Sequence, residues 1–136
     1  MQTDRLIPRT AYRWMLHSMD EMPAVFVIAR DWALRTGVRA ELRERGIEAL
    51  GMDAPGDAGR AIASGQLPAV VVLEAIAELA GDAAVRKLVE HVPTILIASR
   101  TETIPLFPVD TVFYRPVSVG EIVARVHQII ARGHAA

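Results

Sequence analysis

The sequence has no cysteine and only one lysine, Lys87, among its 136 residues. Without cysteine, the chain cannot form a disulfide, use a thiolate nucleophile or build a zinc–thiolate site. It also lacks an apolar run long enough for a signal peptide or a membrane span behind the basic residues of positions 5–13. Its formal net charge of −1 gives no general attraction to nucleic acid or anionic lipid. We therefore expect a cytoplasmic protein that binds neither nucleic acid nor membrane.

What the chain does contain is apolar sequence in short blocks separated by helical patterns. Hydrophobic residues make up 51% of the sequence and charged residues 23%, which is typical of a single globular domain. Five blocks indicate β-strands, at residues 24–29, 47–52, 69–73, 94–98 and 111–114. Strands that alternate with helices predict an α/β fold, a doubly wound five-stranded parallel sheet with helices on both faces. In such sheets, functional side chains gather where the strands end.

Two of the predicted helices carry clear signals at their ends. Residues 32–45 have a four-residue repeat and are followed by Gly46, which predicts a helix with a buried face of Leu34, Val38 and Leu42. Residues 118–121 form a Ser-x-x-Glu capping box, which predicts a last helix that ends at Gly133. The first of these helices also carries a basic stripe, interrupted by glutamates and typical of a solvated face, at Arg35, Arg39 and Arg43.

Three stretches of the sequence are recognisable when taken together. They are PAVVVLEAIAE at residues 68–78, VPTILIASR at residues 92–100 and VDTVFYRPVSVGEIVARVHQIIARG at residues 109–133. In this order they resemble the third strand with its turn, the fourth strand, and the fifth strand with the last helix of a known family. The family is the receiver domain of bacterial two-component response regulators, which has a flavodoxin-like (CheY-like) fold. The resemblance covers residues 23–133 and leaves residues 1–22 as an N-terminal helical extension.

The resemblance implies a phosphoacceptor aspartate at the end of the third strand and a magnesium-binding acidic pair after the first. This sequence has Glu74 at the first place, and Ala29 and Arg30 at the second, with Asp31 one residue later. Magnesium prefers several oxygen ligands, and the loss of the acidic pair removes some of them. Phosphoryl transfer relies on metal and cationic groups that neutralise charge. These changes predict a pocket that neither holds a metal nor accepts a phosphoryl group.

The resemblance also implies a threonine or serine after the fourth strand and a lysine after the fifth. Here these positions hold Ala98, with Ser99 beside it, and Arg115. Lys87 cannot replace the missing lysine, because it lies in the third predicted helix. Each signature position of the family has therefore changed, which predicts a degenerate receiver, or pseudo-receiver.

Glu74 itself allows three interpretations. A carboxylate at the end of a buried strand needs a partner, so the first interpretation is a salt bridge with Arg30 or Arg115. The second is a fixed charge that imitates an acyl phosphate and holds the domain in one state. The third is a divergent, phosphorylatable receiver in which Asp31, Asp53 and Glu74 surround magnesium.

The segment between the fourth and fifth strands, residues 99–110, departs from the family, which has a whole helix there. Pro105 and Pro108 disfavour a helix interior and the segment is short, so we expect this fourth helix to be shortened or missing. The segment has three large apolar residues, Ile104, Leu106 and Phe107. They either cover exposed core or form a patch for a partner.

The N-terminal extension has a helical pattern over residues 8–22 that is apolar over most of its circumference. A helix of this kind is stable when it is buried on more than one side. With Trp14 and Met15 on its apolar surface, it packs either on its own domain or against a dimer mate or another partner.

The function expected from these residues is protein–protein interaction in bacterial signal transduction or regulation, without catalysis, cofactor or metal. The expected partner is a regulatory protein, and a homodimer is an open alternative. A small-ligand sensor with a pocket at the strand ends is a further alternative, for which a ligand-dependent rise in thermal stability would be the evidence.

Overall fold

Strands and helices alternate along the chain, as the sequence predicts. The computed structural model describes residues 23–101 and 108–135. Its strands are β1 (Val25–Ile28), β2 (Ala49–Met52), β3 (Val70–Glu74), β4 (Thr94–Ala98) and β5 (Thr111–Tyr114). Its helices are α1 (Trp32–Glu44), α2 (Asp57–Ala63), α3 (Ala77–Ala80), α4 (Ala83–Val89) and α5 (Val119–Ala135).

The strands form one parallel sheet in the order β2-β1-β3-β4-β5. This is the flavodoxin-like order, in which the direction of winding switches between β1 and β3. The predicted α/β fold class and its five-stranded parallel sheet are therefore confirmed. The switch point is where a crevice forms at the carboxyl ends of the strands, so the fold itself marks the edge to inspect for function.

Apolar side chains alternate between the two faces of the sheet. In β1, Val25 and Val27 belong to the core on one face, whereas Phe26 and Ile28 belong to the core on the other. The same alternation runs through β3, whose residues 70–73 have no exposed surface. Full burial of such a side chain is worth about 1.5–3 kcal/mol. A run of them is stable only between two layers of helices.

Those layers are α1 and α5 on one face, and α2, α3 and α4 on the other. As predicted, α1 buries Leu34, Val38 and Leu42. The predicted capping box is also present at the start of α5, where Glu121 N donates to Ser118 Oγ over 3.1 Å and Ser118 N donates to Glu121 Oε2 over 3.0 Å. Within residues 23–101 and 108–135, no helix is both long enough and apolar enough to cross a membrane.

One prediction about the helices is wrong, and one helix was missed. The prediction that the last helix ends at Gly133 is wrong, because α5 continues to Ala135. Gly46 has a positive φ of 77° and ends α1, whereas Gly133 is not among the glycines with positive φ. A glycine ends a helix when it adopts the left-handed conformation, and the sequence does not reveal which glycine does so. The short helix α3 after β3 was not predicted.

The basic stripe of α1 does not form a solvated face throughout. Arg35 and Arg39 are half-buried, and their stems cross Gly51 of β2, where an added Cβ would lie 2.9 Å from Arg39 Cδ. Arg39 Nε donates to the main-chain oxygen of Ala49 over 3.3 Å. Only Arg43 is exposed as predicted. The stripe therefore fastens α1 to strand β2 at the edge of the sheet.

Several predictions concern residues outside the described ranges. They are the N-terminal helix with Trp14 and Met15, the shortened fourth helix, and the roles of Ile104, Leu106 and Phe107. The division between residues 1–22 and 23–133 likewise stays a prediction.

Asp110 fastens the start of β5 to α5. Its Oδ1 accepts hydrogen bonds from Arg125 Nη2 at 2.6 Å and Thr111 Oγ1 at 2.8 Å, and its Oδ2 accepts one from Arg132 Nη2 at 2.8 Å. Its main-chain N–H donates to Thr94 O over 2.8 Å. Burial raises the pKa of the Asp110 carboxyl, but the hydrogen bonds from these three side chains, Arg132 first, outweigh burial and lower the pKa to about 2.

We predict that Asp110→Asn lowers the free energy of unfolding by about 2 kcal/mol at neutral pH, and that the difference disappears in acid. A carboxyl with a lowered pKa stabilises the folded state above its unfolded pKa of about 3.9. That stability is lost as the pH falls through the folded value of about 2. Urea unfolding of wild type and Asp110→Asn, from neutral pH down to about pH 2, measures the effect.

Glu41→Gln is the matched control, because it removes a carboxylate from an exposed pair with Arg45 at 3.5 Å. This change should cost less than about 1 kcal/mol. A difference between wild type and Asp110→Asn that stays constant from neutral pH to acid would contradict the assignment.

Candidate functional site

Four strand ends meet at the carboxyl edge of the sheet. β1 and β3 are neighbours, with Ile28 opposite Leu73, so the residues that follow β1 lie beside Glu74 at the end of β3. On the other side, Arg115 follows β5, and its main-chain N–H donates to Ala98 O at the end of β4 over 2.8 Å. The topology thus brings together residues from distant parts of the chain.

Glu74 is held by donors on both of its carboxylate oxygens. Its Oε1 accepts hydrogen bonds from the main-chain N–H groups of Arg30, at 2.7 Å, and Asp31, at 3.0 Å. Its Oε2 accepts one from Arg115 Nη2 at 3.1 Å. The side chain is only 13% exposed. A carboxylate this deeply placed is stable because donors replace the water it has lost.

Arg115 bridges two carboxylates with the two arms of its guanidinium. Nη2 contacts Glu74 Oε2, and Nη1 contacts Asp31 Oδ2, each at 3.1 Å. The other oxygen of Asp31 caps α1, since Oδ1 accepts from Leu34 N at 3.1 Å. The hydrogen bond from Leu34 and the charge of Arg115 together outweigh burial and lower the pKa of Asp31. The planar fork of arginine suits this bridging role better than the point charge of lysine.

Arg30 takes part through its main chain and not through its charge. Its guanidinium turns away from Glu74 to Glu78, with Nη1 2.8 Å from Oε2, and its Nε donates to Asp53 O over 3.4 Å. Of the two candidate partners for Glu74, the geometry thus favours Arg115 as the cation. Arg30 instead links the loops that follow β1, β2 and β3.

The predicted positions after β4 are close to the cluster but carry no charge. Ala98 is fully buried and contributes its carbonyl to Arg115 N. Ser99 is half-buried, and its Oγ lies 3.1 Å from Thr101 Oγ1. Further out, the Arg100 guanidinium lies 5.3 Å from the centre of the Tyr114 ring, a cation–π contact.

The side chains at this edge do not fit the magnesium ion that the fold implies. Magnesium takes oxygen ligands in near-octahedral geometry. Each carboxylate oxygen of Glu74 and Asp31 already has a protein hydrogen-bond donor or ionic partner, and the carbonyl of Ala29 accepts from Arg35 Nη1 at 2.7 Å. Across the described part of the chain, no three His, Asp or Glu side chains are grouped to hold a metal. Asp31, Asp53 and Glu74 therefore do not form the trio considered above.

Two contributors were missed by sequence reasoning. Glu78 was given no role, yet it is the ionic partner of Arg30. Arg35 was assigned to a solvated stripe, yet it reaches back to the carbonyl at the end of β1. The first contact depends on helix α3, which carries Glu78 and was not predicted. The second depends on how α1 crosses the sheet, which the sequence does not show.

Comparison with known proteins finds similarity at the level of structure. No family model matches the sequence, and no curated protein sequence matches it. Among solved structures, the receiver protein of Burkholderia phymatum superposes with a TM-score of 0.62 at 19% identity, covering 80% of this chain and 95% of that one. The receiver domain of Francisella response regulator 1452 gives 0.64 at 18% identity, covering 82% and 98%.

A third neighbour is the receiver domain protein (CheY-like) of Methanospirillum hungatei, with a TM-score of 0.67 at 12% identity over 82% of this chain and 97% of that one. At these identities the similarity is one of backbone fold. The chain has the fold of response regulator receiver domains.

Proposed function

We propose that the chain is a receiver-like domain that takes no part in phosphotransfer and acts as a protein–protein interaction module in signal transduction or regulation. The observation that carries this proposal is how Glu74 is held. Its Oε1 accepts from the main-chain N–H groups of Arg30 and Asp31, and its Oε2 accepts from Arg115. A phosphoacceptor must turn a carboxylate oxygen toward the donor phosphorus, and the Glu74 carboxylate is instead fixed by these three donors.

The electrostatics of the cluster support the same conclusion. Phosphoryl transfer depends on metal ions and cations placed around the transferred group. Among the residues that the structure describes, Arg115 is the cation that bridges Glu74 and Asp31, and it is already engaged with both. A phosphoryl group entering this space would meet two carboxylates and would have to compete with them for the same guanidinium.

Of the alternatives, a fixed charge at Glu74 fits this proposal, because Glu74 and Arg115 hold the strand ends in one arrangement. The ligand-sensor alternative receives less support. An open groove of about 410 Å³ lies along α4 and is lined by Gly81, Ala83, Arg86, Lys87 and Glu90, none of which is among the strand-end residues where a sensor pocket was expected.

The partner and its surface belong to the proposal as well. We propose a regulatory protein or a second copy of this chain as the partner, met in the cytoplasm. The candidate contacts are those named from the sequence, Ile104, Leu106, Phe107, Trp14 and Met15. Catalysis has no part in the proposed role.

We predict that incubation with magnesium and acetyl phosphate leaves the intact mass unchanged. The reason is that the Glu74 carboxylate is fixed by donors of its own chain and the side chains of the cluster do not fit a metal. A receiver with an aspartate phosphoacceptor, treated in parallel, gains one phosphoryl group and proves that the reagent is active. A phosphoryl adduct on this chain that is absent from Glu74→Ala would overturn the proposal and identify a working switch.

We also predict that Glu74 is needed for stability. Glu74→Ala leaves two main-chain N–H groups and Arg115 without their acceptor, and should lower the free energy of unfolding by about 2–3 kcal/mol. Glu74→Gln keeps an acceptor oxygen for the two N–H groups and should cost about half as much. Urea unfolding at neutral pH compares the three proteins.

Glu78→Gln is the control for this series, since it also removes a glutamate charge paired with arginine. Its side chain is 61% exposed, so the loss should stay below about 1 kcal/mol. If Glu74→Ala were as stable as Glu78→Gln, the contacts of Glu74 would contribute no more to the free energy of unfolding than an exposed ion pair, and the prediction would be wrong.

A further inference from the structure

We propose that the Arg115 guanidinium is the built-in cation of the strand-end cluster: it occupies the two carboxylate oxygens that a divalent ion would need and thereby keeps the site closed to metal. The inference deepens the proposed function, on which it rests, by assigning the absence of phosphotransfer to one side chain. It goes beyond the lack of an acidic pair, because two carboxylates are still present and still adjacent.

The inference rests on the different partners of the two oxygens in each carboxylate. Glu74 gives Oε1 to two main-chain N–H groups and Oε2 to Arg115. Asp31 gives Oδ1 to Leu34 N at the start of α1 and Oδ2 to Arg115. In each case the main chain fixes one oxygen, and the other oxygen faces the guanidinium. Removal of the guanidinium would therefore expose two fixed carboxylate oxygens that face the same space.

Charge balance determines what that space would then attract. With Arg115 in place, one positive charge lies between two negative charges. The guanidinium of Arg30 is engaged with Glu78 and does not contact Glu74. Without Arg115, two partly buried carboxylates would face each other, and a hard divalent cation with oxygen preference would relieve their repulsion. Arg115 therefore relieves the repulsion between the two carboxylates, as a bound divalent cation would.

The position of Arg115 makes this cation permanent. Its main-chain N–H is bonded to Ala98 O at the end of β4, so the residue belongs to the sheet. A guanidinium keeps its charge over the pH range in which proteins are folded. Neither a chelator nor a change in metal concentration can remove it, unlike a bound ion.

The test is manganese binding by Arg115→Met, measured as loss of the electron paramagnetic resonance signal of free Mn²⁺. Mn²⁺ prefers the same oxygen ligands as magnesium. We expect the variant to bind Mn²⁺ at least about tenfold more tightly than wild type, because a positive charge is removed from within a few ångströms of the ion. Wild type should show no binding that depends on Glu74.

Two double variants locate the new site. Arg115→Met combined with Glu74→Gln, or with Asp31→Asn, should lose the gained affinity, since each removes one of the two charges. Asparagine still caps a helix, so the second variant keeps the start of α1. Arg125→Met is the matched control: it removes an arginine paired with Asp110 outside the cluster and should leave Mn²⁺ binding as in wild type.

Arg115→Gln provides a second route if Arg115→Met does not fold, because glutamine is neutral and retains an N–H donor for Glu74. Far-ultraviolet circular dichroism checks the fold of every variant. A folded Arg115→Met or Arg115→Gln protein without gained Mn²⁺ affinity would overturn the inference. So would wild-type binding that disappears in Glu74→Gln.

The outcome is separable from that of the phosphorylation test. If wild type binds Mn²⁺ at Glu74 but takes no phosphoryl group, the inference about Arg115 is overturned and the proposed function stands. If wild type binds no Mn²⁺ but is phosphorylated on Glu74, the proposed function is overturned and Arg115 still excludes the metal.

Discussion

The structure depends on one requirement, which is that a carboxylate at the end of a buried parallel strand must be paired. Glu74 closes β3, whose preceding residues have no exposed surface, and its own side chain is 13% exposed. An ionised group in such a place is costly unless it is paired and hydrogen-bonded. The main chain after β1 and the guanidinium after β5 meet this requirement together. The same contacts fix the loops of three strands relative to one another.

Much of the fold could be predicted from the sequence, because burial leaves a periodic record. β1 and β3 are short runs of apolar residues, and such runs fit only a sheet that is covered on both faces. The core face of α1 and the capping box of α5 are likewise local patterns. What could not be predicted depends on tertiary placement. Arg39 was assigned to solvent, but its stem lies over Gly51. That contact becomes apparent only when α1 lies on β2.

The site was predictable in composition but not in connection. The residue types indicated that Glu74 would need an arginine. Arg115 was one of the two candidates, because it follows the fifth predicted strand and so lies at the same edge of the sheet. The sequence could not show that Arg30 would turn to Glu78, because the helix that carries Glu78 was not recognised. Nor could it show the main-chain donors, which depend on how the chain enters α1. Solved structures at 12–19% identity share the backbone fold, which is therefore compatible with widely different sequences.

The connection between β4 and β5 is anchored on both sides by described contacts. On one side, Arg100 lies over the ring of Tyr114. On the other, Asp110 binds the main chain of Thr94 and two arginines of α5. Both anchors involve arginine, and both reach β5 or the residue before it. An edge strand, which pairs with a neighbour on one side only, is therefore attached to the domain by side-chain contacts as well as by its ladder to β4.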